Sequence, residues 1–524
     1  MKKFVARHAS RVISVLSGFD RLVFRGSLRA LRNNGINGFL HRAGVRLLDF
    51  GKFAKETTER VKEAALAEAK ERDRPVVYLE SPRTSKEELA RELLVKYPLA
   101  EPGLICALTA VEPCMRFEYH RSPDPNERGL KLKPSKCLQV YKYYQHPVFG
   151  FMHVRLQTYL PFDVQICMNG REWLARQLRL RGSEFERADN CFTRLPDPEL
   201  AQQLMDDQLK TAWPATLNAL LKMIHPLHDE IFKASPMMPW WVAYQTEWAT
   251  DLLFKDAAAL AEIYPGLVRH AVDHFKSQDV LRFLGKIERQ TWQQDIVSSF
   301  KERSEGVRVK HWLNGNSVKM YDKAGKILRV ETTIGNPKDF SVRRPRGEDE
   351  RGEKHDPAKG KELVWRNMRK SVADLHRRTE LSQRANDRYL DALSVVDDTT
   401  PCSRIFDAFS RPVIEDERRL RALRLGDPVE LALLEAISRG EFVTAGFRNR
   451  DLRRLLFAPP ATQADERRLS GKISRALRLL RAHGVVRKIQ KTHRYQLSER
   501  GRLLTAALRA TRDANLKQLL REAA

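Results

Sequence analysis

The sequence predicts an α+β protein: a mixed helix and antiparallel-sheet main body, followed by a smaller C-terminal domain of helices and one short hairpin. Three observations carry this. Between residues 103 and 168 the chain breaks into short aromatic and β-branched runs separated by Pro, Gly or charged turns. On either side of it, long stretches show the 3.6-residue apolar period of amphipathic helices. After residue 403 a set of Leu- and Arg-rich helical segments ends in two strand-like runs around a basic tip.

Taken in order, residues 1–100 are expected to be a helical N-terminal region. The stretch 53–73 is rich in helix formers, and Ser85 with Glu88 forms a capping-box start for SKEELARELLVKY. Val76 to Leu79 is a short strand candidate. Residues 101–342 form the main body. Its first strands are LICALTAV, CMRFEYH, CLQVYKYY, GFMHVRLQTYL and FDVQICM, and helices resume from 170 to 300. Strands return as GVRVKHWL, NSVKMYDK and ILRVETTI, with turns at Asn314-Gly315-Asn316 and Ala324-Gly325-Lys326. Residues 343–402 are expected to be a charged linker and a helix, and 403–524 the C-terminal domain.

The 524 residues carry a net charge of +27, with a pI near 9.9. A polyanionic partner is the simplest physical account, because released counterions drive binding to nucleic acid. No apolar run reaches the roughly 18 residues that span a bilayer, so no membrane partner is expected. The basic N-terminus is broken by Arg7, Arg11 and Asp20 and makes a poor signal peptide. Six cysteines without a CxxC pair fit a reducing cytoplasm rather than a zinc site. Walker, dinucleotide, GxSxG and HExxH patterns are absent.

Within the C-terminal domain, SRALRLLRAHGVVRKIQKTHRYQLSERG places Arg475, Arg478 and Arg481 around an apolar stripe on one helix. Gly484 suits the left-handed position that ends it, and Ser498 is an N-cap for the next helix. Arg487, Lys488, Lys491, His493 and Arg494 flank the hairpin tip. The pattern is similar to winged helix-turn-helix regulators of the multiple-antibiotic-resistance type, over roughly 75 residues. The resemblance implies DNA contact by these eight residues, and homodimers are common among such modules.

In the main body, strand alternation puts Ser317, Lys319, Tyr321 and Lys323 on one face, and Val318, Met320 and Asp322 on the other. Arg329 and Glu331 likewise share a face opposite Leu328 and Val330. A tyrosine, cations and a carboxylate together are what phosphodiester cleavage needs. The pair NSVKMYDK and LRVE resembles the strands of rolling-circle replication initiators, in which an Asp-x-x-x-Asp-like strand lies upstream. TEWATDLLF offers Glu247 and Asp251 at that separation, on a strand or on one face of a helix. The resemblance covers residues 247–334, without the family's His-hydrophobe-His motif. It implies a metal-dependent DNA-nicking and joining enzyme of a replicon or mobile element. Tyr321 would be the nucleophile, Lys319, Lys323 and Arg329 would contact phosphate, and Glu247, Asp251 and Glu331 would hold Mg²⁺ or Mn²⁺.

Two alternatives stand beside it. One is a non-catalytic winged-helix DNA-binding regulator. The other is an RNA-binding protein of a mobile element, with DNA placed ahead of RNA. Tyr141, Tyr143, Tyr144 and Phe149 are read first as core. His153, Arg155 and Gln157 share one face, read first as the solvent side of the sheet and otherwise as a polar site face. Gly18-Phe19-Asp20-Arg21 is a weak phosphate-turn signal.

Overall fold

The computed structural model describes the chain except residues 82, 125–127, 276–278, 281–282, 286–296, 304–305, 346–362, 395–401, 416, 440–441, 443–445, 490–491 and 514–524. It is a mixed α+β protein. The strands in chain order are β1 (Val12–Ser27), β2 (Val76–Tyr78), β3 (Gly103–His120), β4 (Gly129–His146), β5 (Gly150–Gln157) and β6 (Val164–Asn169). There follow β7 (Glu186–Ala188), β8 (Cys191–Arg194), β9 (Trp240–Phe254), β10 (Val297–Arg303), β11 (Gly306–Leu313), β12 (Asn316–Lys323) and β13 (Ile327–Ile334).

The chain divides into two compact units that interleave along the sequence. One comprises residues 14–251 and 331–383, the other residues 1–13, 252–330 and 384–524. These units do not follow the sequential boundaries expected above. The reason is that strands far apart in the chain complete one another's ladders.

In the first unit the strand order runs from the Glu331–Ile334 end of β13 through β9, β1, β6, β5, β4 and β3 to β2. Ladders from β1 through β6, β5 and β4 to β3 are antiparallel, and β2 joins β3 in parallel. The helix Phe50–Glu71 buries Ala54, Val61, Ala65 and Ala69 in the main apolar cluster. That spacing of about four residues makes one stripe, which lies with Val140, Val154 and Ile166 of the sheet. Leu217, Leu220, Leu221 and Ile224 of the helix Trp213–Ile224 join the same cluster. On the other side, Ala90 of the helix Lys86–Lys96 packs with Tyr141, Tyr143 and Phe151. Ser85 caps that helix, accepting from the Glu88 amide at 3.3 Å.

Two segments within stretches read as mostly helical are strands, the second being the strand alternative left open for TEWATDLLF. β1 lies inside the supposedly helical N-terminal region, and β9 lies inside the helical stretch 170–300. Both contain β-branched and aromatic residues, whose preference is realised only when partner strands from distant sequence pair with them.

In the second unit β10, β11 and β12 pair antiparallel in sequence order, with β13 next to β12. The turns take positive φ at Asn314 and Gly315 and at Ala324 and Gly325, as tight hairpin connections require. Val318, Met320, Leu328 and Val330 are fully buried. The C-terminal residues hold a separate apolar cluster built from Ile437, Phe447, Leu452, Leu477, Val485 and Leu504, among others. Its elements run helix Pro428–Ser438, helix Asn449–Leu456, helix Gln463–Ala482, strands Val486–Lys488 and Tyr495–Leu497, and helix Glu499–Asp513. The two strands pair antiparallel, and Phe447 bridges to Tyr495 as a third edge. Ser498 caps the last helix, accepting from the Gly501 amide at 2.9 Å, and Gly484 has a φ of 70°.

Part of the segment expected to be linker and helix is hairpin and helix. Ser341–Pro345 and Leu363–Asn367 form a hairpin, and Leu375–Leu393 is a helix. The most charged part of that segment, 346–362, lies outside the described residues. Among the described residues no helix is long and apolar enough to cross a membrane. All six cysteines are free thiols.

Candidate metal centre

Three neighbouring strands of the first unit bring carboxylates to one point. Asp20 stands on β1, Glu247 on β9 and Glu331 on the end of β13 that lies beside β9. One oxygen from each lies within 4.8 Å of the others. Phe19 and Trp248, the chain neighbours of Asp20 and Glu247, meet edge to face with centroids 5.0 Å apart. That contact draws β1 and β9 together, and strand alternation turns the adjoining carboxylates the other way.

The donor chemistry fits a hard divalent cation, which prefers carboxylate oxygens. Two oxygens on one ion are separated by at most twice the metal–oxygen distance, about 4.2 Å for Mg²⁺ and about 4.8 Å for Ca²⁺. Donor oxygens all within 4.8 Å of one another are close enough to share one such cation. Asp20 and Glu331 are buried and Glu247 is half-buried, so the site is partly desolvated. Neighbouring amides position two of the three. Asn190 donates to Asp20 at 2.6 Å, and Gln245 donates to Glu247 at 2.7 Å.

The carboxylates brought together differ from the set that the resemblance implied. Glu247 and Glu331 are present, but Asp251 is replaced by Asp20. Asp251 instead pairs with Arg171 at 3.1 Å, and the arginine is fully buried. Arg171 follows Asn169, whose side chain caps the helix Gly170–Leu180 by accepting from the amides of Arg171 and Glu172. Gly170 is required there, because a Cβ would stand 2.1 Å from the Phe19 carbonyl oxygen. The helix start is thus pressed onto β1, which delivers the guanidinium to Asp251. Asp20 was hidden by its context: Gly-Phe-Asp-Arg looks like a turn, and only the pairing of β1 shows it as strand.

Lys319, Tyr321 and Arg329 belong to the other unit. Tyr321 is 8% exposed, with Lys319 Nζ 5.4 Å from its ring centre, and Arg329 is fully buried. Lys323 is buried as well. The nucleophile suggested by the resemblance is therefore mostly enclosed.

The eight C-terminal candidates divide. Arg475, Lys488 and His493 are exposed. Arg478 and Arg481 are drawn to Glu415, at 3.6 and 3.0 Å. Arg487 donates to Gln496, and Arg494 donates to the Gly446 carbonyl. Lys491 lies outside the described residues. Exposed cations run along the helix Gln463–Ala482, and those not drawn to Glu415 are Arg467, Arg468, Lys472 and Arg475. Positions 468, 472 and 475 follow the i, i+4, i+7 spacing of one helix face, a signal the sequence did contain.

His153 and Gln157 are buried while Arg155 between them is half-exposed, so that side of β5 is only in part the solvent face expected. Burial, and then the charges of Arg21, Arg155 and Lys86, push the His153 pKa down to about 3. Burial, followed by His228, brings His225 to about 3 as well. Both folded values lie below the usual 6.5, so the fold favours the neutral ring. Their stability contribution is complete above about pH 6.5 and falls as acid protonates the unfolded chain. Near pH 5 each should cost about 2 kcal/mol. Melting temperature is expected to drop between pH 7 and pH 5, with a shallower drop in a His153→Gln, His225→Gln chain. Parallel pH curves for the two chains would refute this.

No known family model matches the chain, and no curated protein or solved structure is significantly similar to it.

Proposed function

We propose that this chain is a DNA-binding protein of a mobile element or replicon that cleaves phosphodiester bonds with a divalent cation held by Asp20, Glu247 and Glu331. The observation that carries the reading is the convergence of three carboxylate oxygens within 4.8 Å in a chain of net charge +27. A basic protein that concentrates negative charge at one point has a use for a cation there, and its surplus positive charge suits a polyanionic substrate. A bound Mg²⁺ or Mn²⁺ would supply charge stabilisation at phosphorus. The C-terminal domain is the addressing module, read as a winged helix. Its helix order and three-edged hairpin support that reading, and the exposed Arg467, Arg468, Lys472 and Arg475 are its DNA-facing cations.

The test is incubation of the purified chain with supercoiled and single-stranded DNA, with Mg²⁺, with Mn²⁺ and with chelator. Metal-dependent nicking is expected. A covalent DNA adduct that disappears in Tyr321→Phe assigns the attack to the tyrosine, as in rolling-circle initiators. Unchanged cleavage in that variant removes Tyr321 from the chemistry and leaves water as the attacking group. Absence of cleavage under every condition would overturn the enzymatic reading and leave the DNA-binding regulator.

A further inference from the structure

We propose that the sheet face beside the carboxylate trio is a track for a single nucleic-acid strand, with Arg25, Arg155 and Lys370 as its phosphate contacts. This deepens the preceding reading by naming a substrate form, and it rests on the assignment of nucleic acid as partner.

The track follows from strand register. Arg25 of β1 stands opposite Gln165 of β6, and Gln165 stands opposite Arg155 of β5. Residues directly opposite in antiparallel ladders point to the same face, so these three form a row across the sheet. Tyr244 of β9 extends the row at its open end, with the Arg25 guanidinium 3.4 Å from its ring centre and Lys370 Nζ 5.6 Å away. All five side chains are half-exposed. Gln165 accepts from Arg25 Nε at 3.1 Å, so stacking and hydrogen bonding fix the guanidinium plane. An arginine held this way presents its remaining donors in a set direction, which suits phosphate oxygens.

Charge is unbalanced along the row. Burial lowers the Arg25 pKa, Tyr244 opposes this, and Arg155 adds to the lowering as a like charge. Asp163 is the carboxylate these arginines share, with Arg32 as a third arginine acting on it. Burial raises the Asp163 pKa against the three guanidiniums that act on it, so it neutralises them only in part and an added anion would be favoured there. Arg25 and Arg155 are separated by one intervening strand, about 10 Å at the backbone. That spread favours successive phosphates of a strand over one small anion. The row also leads toward the trio: Cys167, two residues from Gln165, accepts a hydrogen bond of 3.4 Å from Arg21, four residues from Arg25, and both feel the charge of Glu247.

The experiment uses the full chain and a fluorescein-labelled oligothymidylate, with anisotropy measured over a salt series. Loss of two phosphate contacts in Arg25→Gln, Arg155→Gln should reduce the slope of log affinity against log salt by about 1.4. Affinity at moderate salt is expected to fall about tenfold or more, and Arg25→Lys, Arg155→Lys should keep most of the slope. Gln165→Glu places a carboxylate between the two arginines. It is expected to raise the melting temperature while weakening oligonucleotide binding, opposite signs that a purely structural role would not produce. Unchanged affinity and slope in both the glutamine pair and Gln165→Glu would overturn the track. Mn²⁺ binding, followed by the loss of its free-ion resonance signal, is read on the same variants. Retained Mn²⁺ binding with unchanged DNA affinity refutes the track alone. Lost Mn²⁺ binding in the wild-type chain with a reduced slope in the variants refutes the metal reading alone.

Discussion

Glu331→Gln is expected to lower metal-stimulated DNA cleavage by about a thousandfold and to abolish the upward shift in melting temperature that Mn²⁺ gives the wild-type chain. A Lewis-acid cation at phosphorus contributes several kcal/mol to the transition state, and about 4 kcal/mol corresponds to three decades of rate. Glu331 is fully buried, so an isosteric amide removes the charge without changing packing volume. Asp20→Asn should behave the same way, because its carboxylate is buried and stands within 4.8 Å of the other two. Asp251→Asn is the informative contrast. That residue stands on the same strand as Glu247, yet it serves Arg171. Its substitution should leave Mn²⁺ affinity nearly unchanged while lowering stability. Equal loss of Mn²⁺ binding in Asp251→Asn and Glu331→Gln would return Asp251 to the ligand set and remove the distinction drawn between them.

Arg171→Met should destabilise the first unit by about 3–5 kcal/mol, because it leaves the Asp251 carboxylate buried without its cation. The pair is 0% and 7% exposed at the side chains, so water cannot compensate. Arg171 also donates to the carbonyls of Ala249 and Leu16, which ties β9 and β1 to the start of one helix. The double variant Arg171→Met, Asp251→Leu removes both charges and should recover most of the loss, as replacement of a buried ion pair by apolar residues often does. Urea unfolding at pH 7 of the two single variants and the double variant measures the coupling directly. Additive losses would show that the ion pair is not the source of the effect.

Local pattern made several elements legible. The β12–β13 hairpin shows apolar alternation in sequence at Val318, Met320, Leu328 and Val330, although the fold buries both faces, and Gly315 and Gly325 supply positive φ at the turns before and within it. The Ser85 and Ser498 caps and the Gly484 helix end rest on contacts within four residues, so sequence alone contains them. β1 and β9 were not legible in the same way. β1 includes Gly18 and Gly26, and charges at Asp20, Arg21 and Arg25, which read as turn or helix until β6 pairs with it from 140 residues away. Arg478 and Arg481 show the same limit on a smaller scale. Their helix positions suggested a DNA-facing set, but Glu415, some 60 residues earlier, takes both.

The rolling-circle resemblance named Glu247 and Glu331; the sequence by itself determined the α+β composition, the hairpins with their turns and the basic character of the chain. These depend on charge count and on periods of two and 3.6 residues, which are local properties. Only the tertiary structure decided that Asp20 is the third member, that Asp251 belongs to Arg171, and that Arg25 and Arg155 share a face. Each of those depends on which strand lies beside which and in what register. A one-residue slip in register would turn every one of these side chains to the opposite face, and no local pattern fixes it.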